Sequence, residues 1–174
     1  MPDTPETPSE QDVPLRLRPP NNQLDPRAVR WWRTGFLLLF GTPCVVLLAL
    51  AQFLLPARLW LLVAAGAVAL AGLPFVVLLP LWWYRVHRWE ITGDAVYTRT
   101  GFFWQEWRVA PMSRIQTVDT QRGPLEQFFG LATVTVTTAS AKGAVTIPGL
   151  DHELAADLVR QLTETTQATP GDAT

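Results

Sequence analysis

The chain has 174 residues, of which 48% are hydrophobic and 17% are charged, and its formal net charge is −1. Soluble domains usually carry about 25% charged residues, so the composition argues against an ordinary water-soluble fold. The near-neutral charge argues against a general nucleic-acid binder, and the single cysteine, Cys44, excludes an intrachain disulfide and a cysteine-based zinc cluster.

The N-terminal segment, residues 1–26, contains seven prolines and few apolar side chains. Such a composition buries too little apolar surface to fold, so it predicts a disordered, proline-rich cytoplasmic tail. The segment has no positively charged stretch that leads directly into a short apolar core. A standard signal peptide is therefore not expected.

Two uncharged apolar runs follow, at residues 35–55 and 59–84, separated by a three-residue turn. A helix of 21 residues, the length of the first run, spans roughly 31 Å, which matches the hydrocarbon core of a bilayer. The second run is longer and contains Pro74 and Pro80, so we expect it to tilt, kink or extend into the headgroups. Because the turn is too short to cross the bilayer again, residues 27–88 are predicted to form a transmembrane helical hairpin.

The second run also contains a cluster of seven small residues between Ala64 and Gly72. Small side chains allow helix backbones to approach each other closely in lipid. The cluster is compatible both with packing inside the hairpin and with self-association, and the sequence does not separate the two.

The residues that flank the two runs predict the orientation of the hairpin. Five arginines lie at its outer ends, whereas the turn carries only Arg58. The positive-inside rule therefore predicts a multi-pass protein of the cell membrane with both termini and the C-terminal domain in the cytoplasm. Aromatic and basic side chains at both boundaries are expected to anchor the helices at the membrane interface. These interface residues are Trp31, Trp32, Arg33, Trp60, Trp82, Trp83, Tyr84, Arg85 and Arg88.

Beyond the hairpin, β-branched and aromatic residues alternate with turn signals, which predicts a domain built mainly of strands over residues 89–164. The alternation of threonine and valine from Leu131 to Thr138 should direct Val134 and Val136 into a core. The predicted strands cover residues 88–92, 95–100, 102–110, 113–121, 131–138 and 144–147, with a short helical turn at 125–129.

A final helix is predicted from Asp151, which stands where an N-cap is expected. Leu154, Leu158 and Leu162 follow at a spacing of four residues, so they should form a stripe that closes the sheet. The polar residues 165–174 are predicted to form a disordered tail. Antiparallel strands closed by one C-terminal helix are the layout of a pleckstrin-homology-like (PH-like) barrel.

Four short segments carry a resemblance to a known family. Residues 111–119 read PMSRIQTVD, residues 123–126 read GPLE, residues 129–133 read FGLAT and residues 147–150 read IPGL. With the two apolar runs, they resemble the bacterial PH-like (type 2) domain family of small two-helix membrane proteins. The resemblance implies an α+β membrane protein, in which a two-helix transmembrane hairpin precedes an antiparallel PH-like β-barrel or sandwich closed by a C-terminal helix. The proline-rich tail is a departure from the family pattern.

Five residues of these segments, Arg114, Gln116, Gly123, Pro124 and Gly130, are candidates for partner contacts or for structural roles within the motif. For Arg114 two interpretations stay open. It could contact a ligand or partner, or it could form an ion pair with an acidic neighbour such as Glu126 or Asp119, which would hold the barrel together. The ion pair is the preferred interpretation.

The sequence indicates no catalytic centre, no metal site and no cofactor. Asp151 and Glu153 flank His152, but neighbours in sequence do not face each other on a helix, and no phosphate-binding, zinc-protease or nucleophile-elbow motif occurs. From Arg85 onward the chain has eight Lys or Arg and ten Asp or Glu, which argues against recognition of anionic lipids by a basic patch.

These observations favour a non-enzymatic scaffold or interaction module that is anchored in the lipid bilayer and acts through protein partners. The resemblance suggests other membrane proteins of the same family as partners, or self-association; no nucleic acid is expected. One alternative is binding of a lipid or a small apolar ligand at the membrane face of the domain. Another is a role as a subunit of an exporter or of a stress-protection complex.

Overall fold

A computed structural model of the chain describes residues 20–101, 104–139 and 143–168. After a two-residue strand, two long helices are followed by strands in two antiparallel sheets and by a C-terminal helix. This order confirms the predicted α+β fold class. We refer to the two long helices as the hairpin and to residues 88–168 as the C-terminal domain.

The hairpin consists of α1 (Arg27–Phe53) and α2 (Arg58–Val86), joined by a short 3-10 turn (Leu55–Ala57). Both helices are long and apolar enough to cross a membrane. Many of their leucine, valine and phenylalanine side chains are exposed on the outside of the hairpin, as a lipid-facing surface requires. α2 continues as one helix through both of its prolines.

The small residues of α2 divide between two faces. Ala65 and Gly72 are buried, and a Cβ atom on Gly72 would lie 2.7 Å from the Cβ of Phe40 in α1. Glycine at this position therefore allows the two helices to pack closely. Gly66 has no atom within 4 Å of its Cβ position, so only part of the small-residue cluster is used inside the hairpin.

The end of the predicted disordered tail is ordered. Asn22–Gln23 forms strand β1, which pairs with Arg88 and Trp89, and Leu24 is only 3% exposed. The prediction of disorder is therefore wrong for residues 20–26, because one buried leucine and strand pairing outweigh the proline-rich composition. Residues 1–19 lie outside the described residues.

Two antiparallel sheets form the body of the C-terminal domain. The first has the order β1-β2-β3-β4 and contains β2 (Arg88–Ile91), β3 (Ala95–Thr100) and β4 (Glu106–Pro111). The second has the order β5-β6-β7 and contains β5 (Ile115–Gln121), β6 (Leu131–Thr138) and β7 (Val145–Asp151). A 3-10 turn (Met112–Arg114) precedes β5, and helix α3 (Pro124–Phe129) joins β5 to β6.

Strand β7 differs from its prediction, which ended it at Pro148 and Gly149. The register shifts between Ala132 and Val134 of β6, and Gly149 adopts a φ of +66°. A glycine in this conformation absorbs the extra residue of a β-bulge. Pairing therefore resumes after the bulge and continues to Asp151. Residues 102 and 103 of the predicted third strand lie outside the described residues.

The core lies between the two sheets. Val134 and Val136 are fully buried in it, which confirms the side-chain alternation predicted for β6. Leu24 and Ala28 belong to the same cluster, so the beginning of the hairpin contributes to the core of the C-terminal domain.

The last helix, α4 (His152–Ala168), begins as predicted. The Oδ1 atom of Asp151 accepts hydrogen bonds from the backbone N–H groups of Glu153 and Leu154, at 2.9 and 3.3 Å. The helix continues to Ala168, so the prediction of a disordered tail is wrong for residues 165–168. Residues 169–174 lie outside the described residues.

The buried face of α4 is not the predicted leucine stripe. Ala155, Leu158 and Leu162 are buried, whereas Leu154 is 42% exposed. Residues at a spacing of four drift by about 40° per step around a helix of 3.6 residues per turn. The alternating three- and four-residue spacing keeps the buried residues on one side, and Leu154 lies at its margin.

This difference yields a paired test. We expect Leu158→Ala to lower the free energy of unfolding of the domain by roughly 2–5 kcal/mol, because it opens a cavity in packed surroundings. Leu154→Ala is the matched control and should change it by no more than about 0.5 kcal/mol. Urea unfolding of the full chain in detergent measures both. Equal effects of the two substitutions would contradict the assigned helix face.

Candidate functional site at the hairpin junction

The start of α1 is packed against one end of the C-terminal domain, and we call this contact the junction. It brings together parts of the chain that are more than a hundred residues apart in sequence. On the hairpin side it consists of Asp25, Arg27, Ala28 and Trp31, and on the domain side of Phe129, Gly130, Gly149 and Asp151.

Arg27 is the polar centre of the junction. Its Nε and Nη2 atoms donate to the two carboxylate oxygens of Asp25 at 2.9 and 3.0 Å, and Nη2 also donates to Asp151. Its Nη1 atom donates to the backbone oxygen of Phe129 at 3.4 Å. One guanidinium therefore links the first turn of α1 to the N-cap of α4 and to the end of α3.

The environment lowers the pKa of both carboxyl groups. Hydrogen bonds from Arg27 hold the pKa of Asp25 below its ordinary value of 3.8. For Asp151, burial opposes ionisation, but the hydrogen bonds from Arg27 and from two backbone N–H groups outweigh it, and the pKa is lowered. Because both pKa values are lowered, both carboxylates are ionised at neutral pH. The stability that a lowered carboxyl pKa contributes is present above the pKa of the unfolded chain and is lost as the pH falls through the pKa of the folded protein.

The charges orient the junction more than they stabilise it. The Arg27 and Asp151 side chains are 35% and 32% exposed, and ion pairs accessible to solvent contribute only about 0–1 kcal/mol. Burial of Leu24 and Ala28 in the shared core contributes more to the free energy of unfolding, at roughly 0.8 kcal/mol per buried methylene group.

Two glycines allow the close approach of α1. A Cβ atom on Gly149 would lie 2.8 Å from the Cβ of Ala28, and one on Gly130 would lie 3.0 Å from Nη1 of Arg27. Both glycines also adopt positive φ angles, which other residues rarely do. Gly149 accepts a further hydrogen bond through its backbone oxygen, from the N–H of Asp25 at 3.2 Å. Gly130 and Gly149, which belong to the FGLAT and IPGL segments, thus leave the space into which the start of α1 packs.

Several predicted interface aromatics also contact the domain. Trp31 and Trp32 stack at 5.8 Å, and Trp32 meets Trp83 of α2 edge-on at 5.4 Å. Trp31, Trp32 and Tyr84 pack against the core of the domain. Their rings therefore join the helices to the domain, in addition to the anchoring role predicted for them.

The remaining interface candidates differ in their exposure. Trp60, at the far end, is 75% exposed and Trp82 is 51% exposed. Arg85 is exposed and Arg88 is half-buried at the start of β2. The Nε atom of Arg33 is buried and has no hydrogen-bond partner in the described part of the chain.

Gly123 and Pro124 have structural roles around α3. The Glu126 carboxylate accepts hydrogen bonds from the N–H of Gly123 and from the hydroxyl of Thr133, both at 2.6 Å. Pro124 occupies the first turn of the helix and Gly130 its left-handed C-cap. The GPLE segment therefore starts a short helix and ties it to β6.

Arg114 and Gln116 are not part of this arrangement. Both side chains are exposed, and within the described residues Arg114 forms no ion pair with Glu126 or Asp119. The predicted ion pair is wrong. The Glu126 carboxylate is buried, where it accepts from Gly123 and Thr133, whereas Arg114 is exposed. Asp119 accepts from the Thr117 hydroxyl at 3.1 Å. Gln116 lies at a register shift in β5, between Ile115 and Thr117.

A groove of about 320 Å³, lined by polar and apolar atoms alike, lies between the sheets near the end of α2. Its walls include His87, Thr98, Thr100 and Thr146. Arg108 also lines the groove and donates to the Glu106 carboxylate and to the backbone oxygen of Ala144, both at 2.9 Å. Over residues 20–101, 104–139 and 143–168, no group of three or more His, Cys, Asp or Glu residues is placed to hold a metal ion.

Sequence reasoning missed the junction. The sequence predicts Arg27 only as a basic flank of the membrane helix, and Asp25 as part of a disordered tail. A signal was present in the IPGL segment, since a glycine inside a strand often marks a close backbone approach. No local pattern, however, indicates that the approaching residue is Ala28.

The chain offers a matched pair of glycines for testing the junction. Gly149 and Gly143 both have positive φ angles, but the Cβ position of Gly143 has no atom within 4 Å. Both alanine substitutions incur the backbone cost, and only Gly149→Ala also collides with Ala28. We expect Gly149→Ala to destabilise the domain by roughly 1–3 kcal/mol more than Gly143→Ala, the typical cost of overpacking.

Urea unfolding compares the two variants, and hydrogen exchange of the amides of residues 22–30 locates the damage. Exchange there should accelerate in Gly149→Ala alone. Similar unfolding curves and exchange rates for both variants would show that α1 does not depend on the space at Gly149.

Comparison with known proteins agrees with the architecture. The family model described as "Bacterial PH domain" matches residues 44–166. The chain is also 29% identical over 156 residues to the UPF0699 transmembrane protein YdbS of Bacillus subtilis (strain 168), covering 88% of this chain and 97% of the relative. No solved structure matches the chain. Since the family match covers most of the chain, including α2 and nearly all of the C-terminal domain, the protein belongs to the bacterial PH domain family.

Proposed function

We propose that the protein is a non-enzymatic, membrane-anchored interaction module whose PH domain binds a protein partner along the outer edge of β5. The observation that carries this proposal is the position of Arg114 and Gln116. Both are exposed at or beside a strand that, among the described residues, pairs with β6 alone in its sheet. An open strand edge offers backbone donors and acceptors to an added strand, and adjacent side chains provide specificity.

The chemistry of this edge supports a reversible partner. The exposed side chains of β5 are polar, and Ile115 and Val118 are half-buried against the core. The irregularity at Gln116 is of the kind that protects edges against indiscriminate pairing. Such an edge favours a partner that supplies complementary polar groups, either another membrane protein of the same family or a second copy of this chain. The same edge would serve in an exporter or a stress-protection complex.

Site-specific photocrosslinking in native membranes tests this proposal. A photoreactive amino acid at Gln116 or Asp119 should give a discrete protein adduct, because both positions lie on the proposed contact edge. Ala156, exposed on α4, is the control position and should give none. Arg114→Ala should weaken the Asp119 adduct several-fold. The same adducts at all three positions, or none on the edge, would reject this surface.

We also propose that both termini and the PH domain lie in the cytoplasm, which the arginine distribution supports. Alkaline phosphatase, which is active only outside the cytoplasm, should remain inactive when fused after Thr174. The same reporter inserted at Arg58 should be active. The reverse pattern of activities would invert the topology.

A second candidate function is binding of a small ligand in the groove beside His87. The groove volume lies at the lower end of the range of about 300–1,000 Å³ found for ligand sites. Its threonine hydroxyls and its Arg108–Glu106 pair suit a polar, hydroxylated group, such as a lipid headgroup, better than an apolar one. Lipid analysis of purified wild type and of Thr146→Val should show the loss of a co-purifying lipid from the variant if this function holds.

A further inference from the structure

We infer that two arginines on the outer face of the first sheet, Arg88 and Arg99, bind the phosphate of an anionic phospholipid at the end of α2. The outer face is the one that points away from the second sheet. This surface differs from the β5 edge and from the groove beside His87, which lies between the sheets. The inference requires the hairpin to span a membrane and does not depend on the proposed partner.

Strand pairing places the two arginines side by side. Arg88 of β2 lies directly opposite Arg99 of β3, and residues opposite each other in an antiparallel pair have Cβ atoms about 4.5–5.5 Å apart on the same face. Their neighbours in sequence, Trp89 and Thr98, are buried. Because side chains alternate along a strand, the two arginines point outward.

Two further residues extend this pair into a row across the sheet. Gln23 of β1 pairs with Arg88, and Trp107 of β4 pairs with Arg99. The guanidinium carbon of Arg99 lies 5.6 Å from the centre of the Trp107 ring. We call Gln23, Arg88, Arg99 and Trp107 the arginine row. It presents an amide, two guanidinium groups and an indole ring on one face.

The positive charge of the row is not compensated within the part of the chain that the structure describes. Neither Arg88 nor Arg99 forms an ion pair there. Glu90 lies on the same face of β2, but its carboxylate accepts from the backbone N–H and the side-chain amide of Asn21, at 3.2 and 3.3 Å. Like charges directly opposite each other destabilise a sheet, so an anion from outside the chain would relieve the repulsion.

The row lies at the level of the lipid headgroups. The Nε atom of Arg99 donates to the backbone oxygen of Val86, the last residue of α2, at 3.2 Å, and β2 begins two residues later, at Arg88. The 29 residues of α2 extend over about 43 Å, which matches a bilayer of about 40–45 Å including its headgroups. The end of α2 therefore lies among the headgroups, whichever way the strands run from it. Arg85, exposed in the last turn of α2, adds a third positive charge at this level.

The chemistry of the row fits a lipid phosphate. A guanidinium presents a planar set of N–H donors that bind phosphate oxygens in pairs. Among the described residues, Arg88 donates no side-chain hydrogen bond and Arg99 donates only through Nε. A lipid with a net negative charge is favoured over a zwitterionic one, whose ammonium group would approach the same arginines. The indole of Trp107 suits the membrane interface, where its N–H remains hydrated.

A count of charges over the whole domain conceals this row. From Arg85 onward, acidic residues outnumber lysines and arginines, which argues against a basic patch made of many residues. Strand pairing nevertheless brings arginines from two strands together and leaves them without a carboxylate between them. The local charge is therefore positive although the domain as a whole is acidic.

Native mass spectrometry of the full chain in an uncharged detergent tests the inference, with phosphatidylglycerol or phosphatidylcholine as the added lipid. Wild type should bind the first phosphatidylglycerol several-fold more tightly than the first phosphatidylcholine. Arg88→Gln should remove most of this preference, and Arg88→Lys, which keeps the charge but not the planar set of donors, should retain part of it. Arg160→Gln is the matched control, because it removes an arginine exposed on α4, and it should bind like wild type.

Three outcomes would overturn the inference. Equal affinities of wild type for the two lipids, or equal losses in Arg88→Gln and Arg160→Gln, would show that the row does not select the lipid. Displacement of the bound lipid by millimolar inorganic phosphate would make a soluble anion the ligand. Loss of the preference in Thr146→Val instead of Arg88→Gln would place the lipid in the groove beside His87.

Urea unfolding separates a lipid site from a structural role of Arg88. In uncharged detergent alone, Arg88→Gln should unfold at a urea concentration no lower than wild type, because the substitution removes a contact between like charges. Added phosphatidylglycerol should raise the midpoint of wild type, as a ligand of the folded state does, and leave that of Arg88→Gln unchanged. A lower midpoint of the variant in detergent alone, or an equal rise in both proteins, would contradict the inference.

Discussion

The close approach of Ala28 to Gly149 is the contact on which the arrangement of the molecule depends. It requires a residue without a side chain in the bulge of β7. Once the two backbones are that close, Arg27 reaches Asp151, Leu24 enters the core, and β1 lies beside β2. The aromatic rings of Trp31 and Trp32 then fill the space between hairpin and domain.

The domain is consequently held at two points. α2 continues into β2 through the single residue His87, and α1 is held by the junction. One attachment alone would allow the domain to swing about the end of a helix. Two attachments fix the orientation of the domain relative to the two long helices, so the β5 edge has a constant position. Under the proposed function, the β5 edge would thereby be presented to partners that share the membrane plane.

Elements that depend on local pattern were predictable from the sequence. The alternation in β6 identified its buried valines, the uncharged runs identified both membrane helices, and Asp151 identified the start of α4. Elements that depend on distant partners were not. β1 and Leu24 are ordered by β2 and the core, a stabilisation that composition alone does not reveal. For Arg114, the expected partner Glu126 is buried beside a backbone N–H and a threonine that it accepts from, whereas Arg114 is exposed, and only the folded geometry shows this separation.

The junction also sets an order of events during synthesis. Arg27 and Asp151 are separated by 124 residues, which a ribosome needs roughly 6 to 25 s to add at about 5–20 residues per second. Throughout that interval the residues against which the start of α1 packs have not all been synthesised, although the helix itself is already available for insertion. The nascent protein therefore passes through a stage in which its membrane anchor is complete and its folded domain is not, with Leu24 and Trp31 exposed to chaperones and proteases until Gly149 emerges.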